Sequence, residues 1–246
     1  MTNSVPTPDG GDGETRDRVD LWADPLCAWT WITYQWLRQA ESVRPMVLSL
    51  RLTGLGYLEG SPGLEQEHPG FLKAAPGPVR VLAAARDGHG EEAVAPLYEA
   101  IARRFHGEGG IYDELFQRTR GMSQQAKRDL QVSLLEQAGE AVAGALDETG
   151  LPGTLISALD STDWDGALRT AHESIPREGR ELDIIGVPVI SVNGAVGVFG
   201  PVLRAVPAGE RAGRLWDGFR ALAAEDAFLE MRRVTPRPAP DPRLVD

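Results

Sequence analysis

One stretch near the amino terminus decides the fold: Val19-Asp20-Leu21-Trp22-Ala23-Asp24-Pro25-Leu26-Cys27-Ala28-Trp29-Thr30-Trp31-Ile32. Alternating apolar residues predict a strand over residues 18–23, and Pro25 ends it because the residue before a proline avoids helical dihedral angles. Apolar residues at helical spacing then predict a helix over residues 27–43, and alternation returns over residues 46–52. The chain therefore opens as a strand, a helix and a second strand, with the length of a βαβ unit.

Cys27 is the only cysteine of the chain, and it lies where the first helix is predicted to begin. Free backbone N–H groups at a helix start favour an anion, so we expect its thiolate to form more readily than the ordinary thiol pKa of about 8.5 implies. A lone cysteine is more often a buried, inert residue, but the strand-to-helix junction favours a reactive thiol. Thr30 follows one turn later, either as a donor to the thiolate or as a surface threonine without a role.

The composition excludes several classes of protein. The 246 residues are 42% hydrophobic and 25% charged, with a net charge of −11. This acidic balance argues against a nucleic-acid binder and against docking on an anionic membrane. The chain has no apolar run of membrane-span length and no apolar leader, and a single cysteine suits a reducing compartment, so we expect a cytoplasmic protein.

The middle of the chain predicts a block of helices. Residues 54–78 are rich in glycine and proline and are expected to form a loop, and no convincing strand follows until after residue 180. The polar segment 120–146 suggests a pair of helices that acts as a lid. The clearest helical patterns cover residues 79–87, 91–105, 123–139 and 163–173.

Strands return near the carboxyl terminus. Residues 188–192 predict a strand, Asn193-Gly194 is the strongest short hairpin signal, and residues 195–199 complete the hairpin. Pro207 is expected to open a helix at a favoured first-turn position, and a last helix is expected around residues 226–231.

This order of elements predicts an α/β, thioredoxin-like fold (βαβ … ββα) with a large all-helical insertion. The terminal segments lack periodicity and are expected to be disordered. The predicted organisation is a tail over residues 1–17, a thioredoxin-like domain over 18–56 and 184–234, a helical insertion over 57–183, and a tail over 235–246.

Three segments together carry a family resemblance: residues 22–32 (WADPLCAWTWI), residues 186–194 (GVPVISVNG), and residues 199–203 (FGPVL) with their continuation at 213–217 (GRLWD). They resemble the DsbA-like thioredoxin-fold proteins of actinobacteria, most closely the mycothiol-dependent nitroreductase group. The similarity runs from Val19 to Arg233 and is poor across residues 111–150.

The resemblance implies roles for individual residues. Cys27 matches the nucleophile of the family's Cys-Pro-Trp-Cys motif, and Trp29 matches the motif's tryptophan. Pro188 matches the cis-proline that faces the thiol and shapes the groove for thiol substrates. The family further implies an oxidoreductase with no tightly bound cofactor, which uses mycothiol as a co-substrate.

Three residues depart from the family pattern. Thr30 stands where the family has its second, resolving cysteine, Ala28 replaces the motif proline, and Val187 replaces the usual threonine before the cis-proline. Without a second cysteine, nothing in the chain can resolve a mixed disulfide internally. This departure puts dithiol exchange in doubt.

The remaining candidates concern substrate binding. Trp22, Trp29, Trp31 and Trp36 are expected to cluster around the cysteine, mostly as core residues, with Trp29 exposed and in contact with substrate. His106 either lines the cleft between the insertion and the core or is a helix C-terminal histidine beside a glycine cap. The four histidines are too scattered for a metal site.

Ala28, Trp29, Val187, Pro188 and His106 are thus the predicted substrate-binding residues, beside Cys27 and Thr30 as the catalytic ones. Three functions stay open. The first is a monothiol enzyme whose partners are a small-molecule substrate and a low-molecular-weight thiol. The second is a cis–trans isomerase of a polyene or unsaturated acyl substrate in secondary metabolism, acting by reversible thiol addition. The third is a binding protein without activity.

Overall fold

The fold is seen in a computed structural model that describes residues 16–54, 75–112, 123, 138–178, 186–235 and 244–245. A four-stranded sheet in the order β2-β1-β3-β4 forms its centre. β1 pairs parallel with β2 and antiparallel with β3, and β4 pairs antiparallel with β3. The strands are β1 (Asp17–Ala23), β2 (Met46–Leu52), β3 (Val189–Val192) and β4 (Val198–Phe199).

The chain also forms helices and a separate parallel pair of short strands. Two 3₁₀ segments cover Glu91–Ala93 and Gly153–Leu159. The helices are α1 (Ala28–Glu41), α2 (Pro76–His89), α3 (Val94–His106), α4 (Ala138–Thr149), α5 (Asp165–Glu173) and α6 (Gly209–Ala223), and the short strands are β5 (Val206–Pro207) and β6 (Leu244–Val245).

α1 is the crossover between the parallel strands β1 and β2, and its far end packs against α6. Trp36 of α1 meets Trp216 and Phe219 of α6 at ring-centroid distances of 6.4 and 6.0 Å. The Trp36 indole N–H also donates to Ala212 O at 3.1 Å. Buried aromatic pairs of this kind contribute to stability beyond the area that they remove from water, so this contact holds the two helices of the thioredoxin-like part together.

The insertion between β2 and β3 contains helices and 3₁₀ segments but no strand within its described residues. Arg80 of α2 donates two hydrogen bonds, of 2.6 and 2.7 Å, to the Asp165 carboxylate of α5, in the bidentate geometry that gives strong ion pairs. The insertion meets the thioredoxin-like part where α3 packs on α1. There the Tyr34 hydroxyl donates to Glu99 at 2.6 Å, and the rings of Trp31 and Tyr98 are 6.2 Å apart.

The sheet order and the helical insertion confirm the predicted fold class. The opening strand and the second strand agree with prediction to within one residue. Asn193 and Gly194 form the expected turn with φ of 55° and 79°, closed by Ala195 N–H donating to Val192 O. β4 is nevertheless shorter than predicted, because Gly197 N–H donates to Pro176 O instead of extending the pairing with β3.

Two local predictions are wrong. Pro207 lies in β5 rather than in a helix, because the extended backbone of Ala208 forms the N-cap and α6 begins only after it. Residues 226–231 form no helix. Leu229 and Met231 there are 93% and 74% exposed, so the segment has no packed apolar face to stabilise a helix of this length.

Several predictions fall outside the described residues, wholly or in large part. These are the amino-terminal tail, most of the helix over 123–139, much of the lid-like pair over 120–146, and the domain boundaries near residues 56 and 184. In the carboxyl-terminal tail, two residues form β6 rather than disordered chain.

Candidate active site

The loop between β1 and α1 positions the single cysteine. Asp24 closes this loop twice, because its Oδ1 accepts from Leu26 N–H at 2.7 Å and its carbonyl accepts from Cys27 N–H at 3.1 Å. Cys27 has extended dihedral angles (φ −89°, ψ 107°) and is the N-cap of α1. The thiol therefore lies at the junction of the central strand and the first helix, as the sequence predicts.

The segment before β3 forms the opposite wall. The Val187–Pro188 peptide bond is cis, in agreement with the resemblance. The Cys27 thiol donates to Val187 O at 3.6 Å, a distance suited to a weak sulfur donor. Residues 160 positions apart in the chain thus meet at the candidate nucleophile, and the acceptor is a backbone carbonyl.

A small apolar cluster encloses the thiol. Trp22, Ile175, Val187 and Val189 are buried with Cys27, which is 7% exposed. Trp29 packs against the edge of this cluster and is half-buried, so the prediction of an exposed tryptophan is wrong. Trp29 is therefore the partly exposed residue next to the buried cluster that contains the thiol.

Burial raises the pKa of the Cys27 thiol, which contradicts the expectation of an easily formed thiolate. Desolvation is the largest cause, and the nearby Asp24 carboxylate raises the pKa further. The Thr30 hydroxyl and the backbone N–H groups of Thr30 and Trp29 lower it, because each is placed to donate to a charged sulfur. The helix start acts in the predicted direction, but loss of water around the sulfur outweighs it.

Thr30 is completely buried, so the alternative of a surface threonine is wrong. Its side chain is the strongest of the influences that lower the pKa of the thiol. While the thiol donates to Val187 O, Thr30 Oγ1 has no hydrogen-bond partner among the described residues. A hydroxyl in this position can donate to the sulfur once the sulfur carries charge.

His106 has the helix C-terminal position that one of the two alternatives predicts, and its ring is buried. It is the last residue of α3, followed by Gly107 as the C-cap, and it also reaches the cysteine loop. Its Nε2–H donates to Pro25 O at 2.9 Å, and its ring stacks on Tyr112 with centroids 5.1 Å apart. Burial lowers the pKa of His106 to about 4, so the ring is neutral at physiological pH.

Sequence reasoning missed three polar residues of this site: Asp24, Tyr98 and Tyr112. Burial raises the pKa of Tyr98 and of Tyr112, and the charges of both Cys27 and Asp24 raise each of them further. Asp24 carried a local signal, because an Asp-Pro pair at a strand end is a common loop former. No local sequence pattern predicts the positions of the two tyrosines, because only the packing of the insertion brings them to the loop.

The expected cluster of four tryptophans around the cysteine is only half present. Trp22 and Trp29 pack with Cys27, whereas Trp31 packs with tyrosines of the α1–α3 contact and Trp36 packs against α6. The Trp22 indole N–H donates to Ala171 O at 2.8 Å and thereby ties the end of α5 to the site. α1 thus directs its tryptophans to three different neighbours.

The other predicted substrate-binding residues lie on the two segments that meet at Cys27, and their role in binding stays a prediction. Ala28 is the first residue of α1, half-buried beside the cysteine, and Val187 and Pro188 form the facing wall. Within the part of the chain that the structure describes, no group of three or more His, Cys, Asp or Glu residues could hold a metal ion. No helix of that part is long and apolar enough to cross a membrane.

A cysteine at the N-cap of the crossover helix, facing a cis-proline that precedes β3, defines a thioredoxin-fold protein of the DsbA-like class. Residues 26–233 match the family model described as Rv2466c-like, mycothiol-dependent nitroreductase Rv2466c. The chain belongs to this family, whose members are thiol-dependent redox enzymes. The family resemblance stated from the sequence is therefore confirmed.

A solved structure of similar overall shape is the probable DsbA oxidoreductase SCO1869 from Streptomyces coelicolor. It aligns with a TM-score of 0.49 and 14% sequence identity, over 89% of this chain and 95% of that chain.

Proposed function

We propose that this protein is a single-cysteine thiol enzyme in which Cys27 bonds covalently to a substrate and a low-molecular-weight thiol, such as mycothiol, releases it. The observation that carries the proposal is the buried Thr30 one helical turn after the only thiol. Family membership supports a thiol co-substrate. The missing second thiol supports release by an external thiol. A reducing cytoplasm would keep the lone thiol reduced.

The proposed reaction is a thiol exchange in two steps. Cys27 Sγ attacks a disulfide or another electrophilic atom of the substrate, its proton leaves with the departing group, and a covalent intermediate forms. In a dithiol enzyme the second cysteine would attack that intermediate. Here the external thiol attacks instead, which regenerates Cys27 and leaves the external thiol joined to the released group.

Access to the sulfur requires a local movement. Cys27 is enclosed by Trp22, Trp29 and Ile175 as well as by the wall before β3. Trp29 is the half-buried member of this group and Ile175 follows the end of α5, so these two residues are the ones that can open to an incoming thiol. Opening would also restore water to the sulfur and remove the main cause of its raised pKa.

Intact-mass spectrometry tests the proposal directly. The reduced protein is incubated with the disulfide of mycothiol, and a mixed disulfide on Cys27 is expected that a second equivalent of mycothiol removes. Cys27→Ser should give no adduct and no thiol-dependent reductase or transferase activity. Failure of the wild-type protein to form any adduct, or full activity of the Ser variant, would overturn the proposal and favour the non-catalytic binding protein.

Thr30→Cys supplies a matched control, because it restores the spacing of the family's motif. The same adduct should now resolve internally, releasing mycothiol without a second equivalent and leaving no free thiol. A variant that keeps the adduct as long as the wild-type protein would show that position 30 does not govern resolution.

A second candidate function is cis–trans isomerisation of a conjugated acyl or polyene substrate. The same observation favours it, since a second cysteine would divert the thiol into a disulfide, whereas Thr30 leaves a single nucleophile. Reversible addition of Cys27 to a double bond permits rotation about the resulting single bond, and elimination restores the thiol with no net redox change. Incubation with a cis-dienoyl thioester and no added thiol tests it. Geometric conversion would support isomerisation, and an unchanged substrate would exclude it.

A further inference from the structure

Three buried polar atoms of the candidate site have no hydrogen-bond partner in the part of the chain that the structure describes. Among the described residues, the buried side-chain atoms without a partner are Thr30 Oγ1, Tyr98 OH and His106 Nδ1. Thr30 and Tyr98 are 0% exposed and His106 is 6% exposed. Leaving one such group unsatisfied costs about 1–3 kcal/mol, and native proteins rarely do so without a functional reason.

The three residues lie on α1 and α3, two helices that contact each other. Thr30 lies one turn after Cys27 on α1. Tyr98 and His106 lie on the buried stripe of α3, where the Tyr98 ring packs on Trp31 of α1 and His106 donates to Pro25 O. We call these three residues the polar wall of the site.

The hydrogen-bonding chemistry of the polar wall limits what it can bind. The Thr30 and Tyr98 hydroxyls can each donate a hydrogen bond. His106 already donates through Nε2–H to Pro25 O, so its Nδ1 can only accept. Two donors beside an apolar cluster suit an uncharged oxygen that accepts two hydrogen bonds, and the apolar cluster suits the carbon chain attached to that oxygen.

We propose that Thr30 and Tyr98 bind the carbonyl oxygen of a substrate whose conjugated double bond accepts the Cys27 thiol, so that the substrate class is an α,β-unsaturated carbonyl compound. The proposal rests on the proposed role of Cys27 as the lone nucleophile. It deepens the second candidate function by assigning a role to two residues of the polar wall and by requiring a carbonyl group conjugated with the double bond.

Addition of the Cys27 thiol to the conjugated double bond needs no further reactant. A bond forms between Cys27 Sγ and the β-carbon, the carbon–carbon π bond breaks, and its electron pair moves through the conjugated system onto the carbonyl oxygen. The thiol proton passes to that oxygen through a hydroxyl of the polar wall, which accepts one proton and donates another. The product is a neutral enol held by Thr30 and Tyr98, and reversal of the step restores the thiol.

The buried position of the thiol makes this proton transfer necessary. A sulfur enclosed by Trp22, Val187 and Val189 holds its proton more firmly than one in water, so addition has to move that proton to the developing oxyanion. Donors fixed in advance at the site of developing charge are an effective way to lower such a barrier. Hydroxyls without a partner among the described residues break no hydrogen bond with those residues when they serve as donors.

A pair of thiol reagents tests the proposal. Dimethyl maleate carries a conjugated carbonyl, whereas methyl methanethiosulfonate modifies thiols without one. We measure by intact-mass spectrometry the rate at which each reagent modifies Cys27 in the wild-type protein, and the conversion of dimethyl maleate to dimethyl fumarate by NMR. Tyr98→Phe should slow the maleate reactions at least about tenfold and leave the thiosulfonate reaction unchanged.

The two reagents distinguish failure of this inference from failure of the proposed function. A change in thiol pKa alone would slow both reagents equally in Tyr98→Phe, and that result would overturn the inference while leaving Cys27 as nucleophile. A wild-type Cys27 that reacts with neither reagent would overturn the proposed function, and the inference with it. Tyr34→Phe is the matched control, because the Tyr34 hydroxyl is already bonded to Glu99, and it should leave the ratio of the two rates unchanged.

Discussion

The two sides of α1 are built differently. Towards α6 and the loop before it, the polar atoms are bonded: the Trp36 indole donates to Ala212 O, and the Thr33 hydroxyl donates to Pro201 O at 3.1 Å. Towards α3, Thr30 and Tyr98 are equally buried, but their hydroxyls have no partner among the described residues. One side of the helix thus maximises stability, and the other keeps hydrogen-bonding capacity for a ligand at a cost in stability.

The largest expected effect belongs to the bonded side. Trp216→Ala should lower the free energy of unfolding by about 3–5 kcal/mol, because it removes a large buried ring that packs on Trp36 and Phe219. Urea denaturation measures this loss. Under native conditions the rate of Cys27 modification by methyl methanethiosulfonate should stay unchanged. A large change in that rate would show that the α6 contact and the site are not independent.

The next effect concerns pH and the polar wall. The pKa of His106 is about 4 when folded and about 6.5 when unfolded, so between these values the unfolded chain binds the extra proton. Stability is therefore full above pH 6.5 and falls as the pH drops towards 4, by up to about 3 kcal/mol.

His106→Gln keeps a donor for Pro25 O but does not titrate, so its stability should depend less on pH in this range. Urea denaturation at pH 4.5 and 7 measures the difference. Burial also lowers the pKa of His172, so this residue should cause part of the pH dependence of stability that remains in His106→Gln. His172→Gln is the control that measures this part. An identical slope in wild-type protein and His106→Gln would contradict the buried, neutral state of His106.

A matched pair of threonines gives a smaller effect of opposite sign. Thr33→Val should cost about 1 kcal/mol, because it leaves Pro201 O without its donor. Thr30→Val removes a hydroxyl that has no partner among the described residues and should leave stability unchanged or raise it by about 1 kcal/mol. Equal losses in the two variants, measured by thermal or urea unfolding, would show that Thr30 is bonded in solution and that the two sides of α1 do not differ.

The smallest effect concerns the carboxylate beside the thiol. Asp24→Asn keeps the oxygen that accepts from Leu26 N–H but removes a charge that raises the pKa of Cys27. Cys27 should then react somewhat faster with thiol reagents at pH 7–8, and its rate profile should shift to lower pH. A profile shifted to higher pH would contradict the placement of Asp24 next to the sulfur.

The sequence was sufficient to predict the framework because the framework has local signals. The alternation over residues 18–23 and 46–52 and the helical spacing after Cys27 predicted β1, α1 and β2, and Asn193-Gly194 predicted the turn after β3. These signals come from periodicity and turn chemistry within a few residues.

The chemistry of the site depends instead on long-range packing, and there the predictions were weaker. The raised pKa of Cys27 follows from burial by Val187 and Ile175, which lie about 150 residues away in the chain. Tyr98 and Tyr112 reach the loop only because α3 docks on α1. A helix start seen in the sequence gives the sign of one contribution to the pKa, but the opposing loss of water becomes visible only in three dimensions.

The hydrogen bond from the Cys27 thiol to Val187 O has a consequence for the protein's tolerance of mutation. The acceptor is a peptide carbonyl, so every amino acid at position 187 presents it, and drift in the side chain there cannot erase it. A saturation scan of residue 187 would therefore report on packing around the thiol and on its burial, and not on the loss of this acceptor. The acceptor for the thiol proton is therefore set by the path of the main chain. It is retained in any variant that keeps the fold.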